Sequence, residues 1–345
     1  MRRKQWWVAL ALLLAVGAMR SAGGAGYWRR YATALFAGGA ESRANLVRPR
    51  LKLPGAAAEP PRATAESELI ATDALQLAAR AAQQQGAKGL LVHRHGHRVF
   101  EYFAAGRSGD TEVAGGELSA ALLALALGVL VDSRRIEPAA AIEAMRDAAG
   151  PDEPWRNPWS AAAHRRFNLK APPAVLSQDL DGSIANTIST RVWQPLGAAD
   201  AGLWGVDDAS LRLDCCVVAR LADWMRLADL FLQQGNYQGQ RIASPDWIRQ
   251  LLAADAQGQR HPVWLDKQSP WTGDEPPAAR DIYWFDLGTD LRLWLVPRRS
   301  LAILHWTDSD KARDTLVLNI ILRGLQDQLP AGGMNELNDL VPGHP

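Results

Sequence analysis

Residues Ala121 to Asp132 (ALLALALGVLVD) run with almost no polar interruption, directly after Gly115-Gly116-Glu117-Leu118-Ser119-Ala120. A glycine pair, a charge and then an apolar body predict a turn feeding a helix. Arg134-Arg135 beyond its end agrees with the helix dipole. A helix apolar on every side predicts burial on every side. Before it, Thr64-Ala65-Glu66-Ser67-Glu68 predicts a capped helix start, with Leu69, Ile70, Ala74, Leu75, Leu77 and Ala78 as its apolar stripe. Gly89 to Tyr102 then alternates in two short runs that meet at His95-Gly96, which predicts a β-hairpin. Helical patterns cover Pro138 to Ala149, Ser177 to Arg191 and Val218 to Gln233, and Ser244-Pro245-Asp246-Trp247 caps another. Three strand-like runs follow, Arg280 to Phe285, Leu291 to Val296 and Leu301 to Trp306, and Thr315 to Leu325 forms a last helix.

That order predicts an α/β (α+β) fold: one antiparallel sheet built from both ends of the chain, flanked by helices, with a helical subdomain inserted over about residues 105–255. Such a fold places its cleft at the seam between sheet and helices. The domain is expected over 64–327. A Pro-containing linker or surface arm precedes it at 27–63, and a flexible tail follows at 328–345. Met1-Arg2-Arg3-Lys4 and the apolar run Trp6 to Met19 read as an export signal or a signal anchor within residues 1–26. The run is short against the roughly 20 apolar residues of a free-standing span. The chain is therefore expected to be exported to the periplasm, either held at the inner membrane through residues 6–19 or released by cleavage.

Composition narrows the functions. A net charge of +1, from 38 basic against 37 acidic residues, gives no electrostatic footprint for nucleic acid. The 14 tryptophans outnumber the 5 tyrosines and 6 phenylalanines together, and they suit core contacts or the lining of a groove. Cys215 and Cys216 are adjacent, which makes a bridge between them strained, so they read as small buried residues or as a redox pair. His93, His95 and His97 would share one face of a continuous strand and could then hold a metal. The hairpin reading puts His95 in the turn and leaves a solvated turn with no acidic or cysteine partner at ligand spacing. No metal and no cofactor is expected.

Four stretches, taken in order, resemble the serine β-lactamase and penicillin-binding-protein-like superfamily, in particular its class-C-related and esterase branch. They are the hairpin Leu90 to Tyr102, the helix end Gly128-Val129-Leu130-Val131-Asp132, the segment Trp193-Gln194-Pro195-Leu196-Gly197-Ala198-Ala199-Asp200, and Arg220 to Leu230 with Gly235, Gly239, Ile242 and Trp247. The resemblance implies a β-lactamase-like fold over roughly Ser67 to Leu325. It also implies three chemical elements that this chain does not carry intact. The S-x-x-K serine and lysine positions fall at Glu117 and Ala120. None of Lys4, Lys52, Lys88, Lys170, Lys267 and Lys311 has a serine three residues before it. The tyrosine element falls at Leu169, with Ala171 where its polar partner would stand. The glycine-rich turn facing the nucleophile falls at Leu287-Gly288-Thr289-Asp290, which retains Gly288 and Thr289 but offers no cation.

Serine is a weak nucleophile without an adjacent base. The reading these losses favour is a catalytically degenerate protein of the cell envelope that binds a small ligand or an envelope protein through the former cleft, with Glu117, Ser119, Gly288, Thr289 and Asp290 as candidate contacts. A second reading is an enzyme with a rebuilt site around Glu117, since a carboxylate in a dry pocket suits acid–base work. An acidic residue in the first turn of a helix is also an ordinary stabiliser. A third reading keeps hydrolysis of esters, amides or peptidoglycan through Ser119 or Ser183.

Overall fold

The fold comes from a computed structural model that describes residues 39–46, 50–141, 183–204, 212–252, 277–279, 282–288, 290–308 and 314–327. The export segment, Leu169, Ala171, Thr289 and the tail lie outside the described residues. So does most of the predicted helix at Pro138 to Ala149.

The alternating runs form the sheet they predict. Strands β2 (Gly89–Arg94) and β3 (His97–Phe103) make the hairpin, and β9 (Tyr283–Asp286), β10 (Leu291–Val296) and β11 (Leu301–Trp306) complete a five-stranded antiparallel sheet in the order β3-β2-β11-β10-β9. Both ends of the chain therefore meet at the β2–β11 pairing, where Leu91 faces Leu304. Side chains that alternate along these strands enter two different cores. Leu91, Leu293, Leu295, Ala302 and Leu304 join the core that contains α3 (Glu117–Asp132). Leu90, Val92, Trp294, Val296, Leu301 and Ile303 pack on the other face with residues of α2 (Thr72–Gln84) and α7 (Thr315–Arg323). Two covered faces explain why β2, β10 and β11 are buried along their whole length.

A second sheet was not legible in the sequence. It runs in the order β1-β5-β6-β4, from β1 (Arg50–Leu53), β5 (Ala201–Trp204), β6 (Arg212–Arg220) and β4 (Glu112–Ala114). The stretch read as linker or surface arm thus supplies β1 and, ahead of it, the short helix α1 (Ala40–Leu46). Strand β6 takes in Val218, Ala219 and Arg220, so the helix expected from Val218 begins three residues later as α5 (Leu221–Leu232). Cys215 and Cys216 lie on the backbone of β6.

Thr64 to Glu68 is a turn and not a helix start. The Ser67 hydroxyl donates to the Thr64 carbonyl, and Leu69 adopts a φ of 52°. Helix α2 begins at Thr72, which leaves Leu69 and Leu77 exposed while Ile70, Leu75 and Ala78 are buried. The predicted Ser177 to Arg191 helix is described from Ser183 on. Ser183 caps α4 (Ile184–Thr187) by accepting from Asn186 N–H, and a π-helical turn continues over Ile188–Trp193. Short strands β7 (Asn236–Tyr237) and β8 (Gln240–Arg241) lead to α6 (Pro245–Leu252), where Ser244 Oγ accepts from Trp247 N–H as its sequence predicts.

Helix α3 is enclosed on all sides, with Leu118, Ala121, Leu122 and Ala124 to Leu127 fully buried. Gly128 belongs there because Trp247 does. A Cβ on Gly128 would lie 2.3 Å from Trp247 Cδ1, and the indole is fixed by its Nε1–H donating to the Ala124 carbonyl at 2.9 Å. Helix propensity alone makes Gly128→Ala stabilising by about 1 kcal/mol. The packing predicts instead a net loss of about 1–3 kcal/mol by overpacking, read from urea unfolding. A stabilised variant would contradict this contact.

Asp223, in the first turn of α5, is buried, and that burial holds its carboxyl above the ordinary aspartate range. Arg226 and the Ala199 N–H lower it only in part. An acid raised in the fold binds its proton more tightly there than in the unfolded chain, so stability falls as pH rises from the ordinary aspartate range through the raised value. Asp223→Asn is expected to flatten that descending limb in pH-dependent unfolding, and an unchanged slope would assign the limb elsewhere.

Candidate functional site

The start of α3 is held by two glycines with separate duties. A Cβ on Gly115 would lie 2.3 Å from the Trp224 ring. Gly116 has a φ of 50°, and a Cβ there would lie 2.5 Å from the Asp286 carbonyl oxygen and 2.7 Å from Leu287 Cα. Left-handed backbone and close backbone approach both favour glycine. The start of α3 is thereby pressed against Asp286 and Leu287, which lead into the turn that links β9 to β10 and carries Gly288 and Asp290. Glu117 is the first residue of α3, and Ala120 is half-buried one turn further on.

Ser119 is fully buried, and its hydroxyl is engaged: Oγ accepts from the Val217 N–H at 3.1 Å. Gly115 N–H donates to the Val217 carbonyl at 2.8 Å. The serine thus continues the bonding of β6 past the end of β4, supplying an acceptor where the partner strand has turned into a helix. Ser183, the other candidate serine, serves as the α4 cap described above.

Asp290 is 3% exposed and has three partners: Ala40 N–H at 2.9 Å on Oδ1, Trp306 Nε1–H at 3.3 Å on Oδ2, and Lys88 Nζ at 3.6 Å. The turn itself offers no cation, and Lys88 brings one to it from elsewhere in the chain. It comes from the residue before β2, reaches Asp308 at 3.0 Å as well, and lies 5.6 Å from the centroid of Trp306. Arg107 lies 5.4 Å from the same ring and pairs with Glu41 at 3.0 Å. Trp306 is buried beneath these two cations. Next to the turn, buried Arg292 holds Asp286 through two nitrogens at 2.7 and 3.1 Å.

The three histidines separate, as a hairpin requires, but the turn is not merely solvated. His93 points inward, with Nδ1 2.8 Å from Asp229 Oδ2 on α5. His95 and His97 both bond the buried carboxylate of Glu68, at 2.6 and 2.8 Å. A carboxylate only accepts, so each ring carries a proton on Nδ1. Among the described residues no group of three or more His, Cys, Asp or Glu side chains could hold a metal ion. Of the tryptophans, Trp193, Trp224, Trp247, Trp294 and Trp306 are core residues. No described helix is long and apolar enough to cross a membrane.

A scan against protein-family models gives no match, and neither does a sequence comparison with curated proteins. Solved structures do match. A protein assigned as a 6-aminohexanoate-dimer hydrolase from Bacillus anthracis is 13% identical with a TM-score of 0.55, over 81% of this chain and 90% of that one. EstCE1, a hydrolase with promiscuous acyltransferase activity, is 12% identical with a TM-score of 0.51, over 76% and 100%. A β-lactamase from Mycobacterium bovis is 16% identical with a TM-score of 0.47, over 72% and 95%. The chain has a β-lactamase-like fold, antiparallel sheets flanked by helices.

The bonding of Ser119 carries its own test. Ser119→Ala leaves the Val217 N–H buried without its acceptor, which predicts a loss of about 1–3 kcal/mol in unfolding free energy. A neutral substitution would mean that the hydroxyl is not needed by the strand and is free for other work.

Proposed function

We propose that this is an exported, non-catalytic protein of the β-lactamase-like fold, which uses the region between α3 and the β9–β10 turn for binding and not for acyl transfer. The observation that carries this reading is the Ser119 hydroxyl, buried and engaged by a backbone N–H in the first turn of the central helix. An attacking oxygen needs a base within hydrogen-bond reach and an open path to the substrate. Ser119 bonds instead to a donor inside the core. Ala120, where the S-x-x-K alignment expects the lysine, has no group that takes a proton. Lys88 directs its charge to Asp290 and Asp308. Loss of one member of such a constellation already leaves only residual rate, so the remaining members add little alone.

The neighbouring structures named above are hydrolases by description, and that activity is the alternative. It would require Glu117 or a serine outside this arrangement to act. The test is incubation of the full chain with a fluorophosphonate and with a penicillin probe, read by intact mass. No adduct is expected. A stoichiometric adduct on any serine, or ester hydrolysis that disappears in a folded Glu117→Gln variant, would overturn the non-catalytic reading.

A further inference from the structure

We infer that the β9–β10 turn around Asp290 is covered in cis by Gly39–Leu46, so that an outside ligand at this turn has to displace this segment. The inference builds on the binding role proposed above and says what stands in that region. Ala40 is wholly buried, and its N–H reaches Asp290 Oδ1 at 2.9 Å. A Cβ on Gly39 would lie 2.4 Å from Asp290 Oδ2, so the chain passes the carboxylate closely at its glycine. A Cβ on Gly288 would lie 3.1 Å from Ala40 N and 3.2 Å from Ala40 Cβ, which places Ala40 directly against the turn. Further along, Ala44 is buried with Ala114 and Val218, Glu41 pairs with Arg107, and Arg50 bonds the Ala44 carbonyl.

These contacts decide how the segment behaves. Helix α1 has seven residues, too few to persist without the surface beneath it. Its order comes from these contacts, and once detached it would lose its helical state. Asp290 behaves in the complementary way. With Ala40 gone, Oδ1 loses its backbone donor and presents a carboxylate oxygen, backed by Lys88 and Trp306, to whatever enters. The segment is a weakly self-supporting occupant on a prepared acceptor, and such elements open first in native-state fluctuations.

The test uses the full chain with Ala40→Asp, which sets a second carboxylate against Asp290. Glu41→Arg, at the exposed rim, opposes Arg107 without entering the buried part and serves if Ala40→Asp does not fold. The readouts are hydrogen exchange over residues 39–46 and 286–291, and fluorescence polarisation with a labelled synthetic Gly39–Leu46 peptide. Exchange in both segments is expected to rise about tenfold or more, with β2 and β11 unchanged. The peptide is expected to bind the variant but not the parent chain, and to restore protection at 286–291. Peptide binding to neither chain, equal binding to both, or a rise confined to residues 39–46 would overturn the inference. A penicillin or fluorophosphonate adduct that forms only in the variant would uphold the displaced segment while overturning the non-catalytic reading.

Discussion

A sixteen-residue helix without a polar face has to be enclosed completely, and the rest of the molecule is arranged around that demand. The five-stranded sheet takes one side of α3, β6 another, and Trp247 fills the notch left by Gly128. Such burial is worth about 25 cal/mol per Å2 of apolar surface, but it also removes water from the helix start. Every donor and acceptor there needs a protein partner. At this end of α3 the polar side chains of Ser119 and Asp290 both have internal partners.

Gly115, Gly116 and Ser119 illustrate the consequence. The glycines permit Trp224 and the backbone of Asp286 and Leu287 to close on the helix, and the serine hydroxyl continues the β6 bonding pattern. On the other side of the turn, Asp290 is bonded by Ala40 and Trp306, and Lys88 neutralises it. A buried carboxylate without such partners would cost several kcal/mol. The same contacts that make this end of the fold stable engage the Ser119 hydroxyl and hold the Asp290 carboxylate in place.

The strands of the main sheet were readable as short apolar runs bounded by turn residues, because both faces are covered, and β2, β10 and β11 match the predicted runs closely. The second sheet escaped notice for a physical reason. Val217, Val218 and Ala219 are apolar and run into Leu221 without a glycine or proline to mark the change from strand to helix, so a long helix is the simpler reading. Strand β1 lies among prolines, which signal loops. Partners far apart in sequence are the other gap. Glu68 clamps His95 and His97 from a turn that local pattern made into a helix, and Lys88 meets Asp290 only because β2 and β10 flank β11. Ala40 at Asp290 joins positions 250 residues apart, a contact that no periodicity reports. Glu117 was legible as part of the first turn of the helix.

The stretches that carried the resemblance do so through packing. Trp193 donates to the Ala199 carbonyl at 2.6 Å, Arg226 donates to the Leu196 carbonyl at 3.1 Å, and Trp247 fits against Gly128. Each joins two elements of the fold, and each depends on residue size or on a buried donor, where substitution is costly. The side chains of acyl transfer are under a different constraint: a lysine or serine at a cleft wall serves the reaction and adds little to the stability of the fold. A chain can therefore keep the packing residues of a hydrolase fold and lose its reacting groups, because the free energy of folding depends on the first set and not on the second.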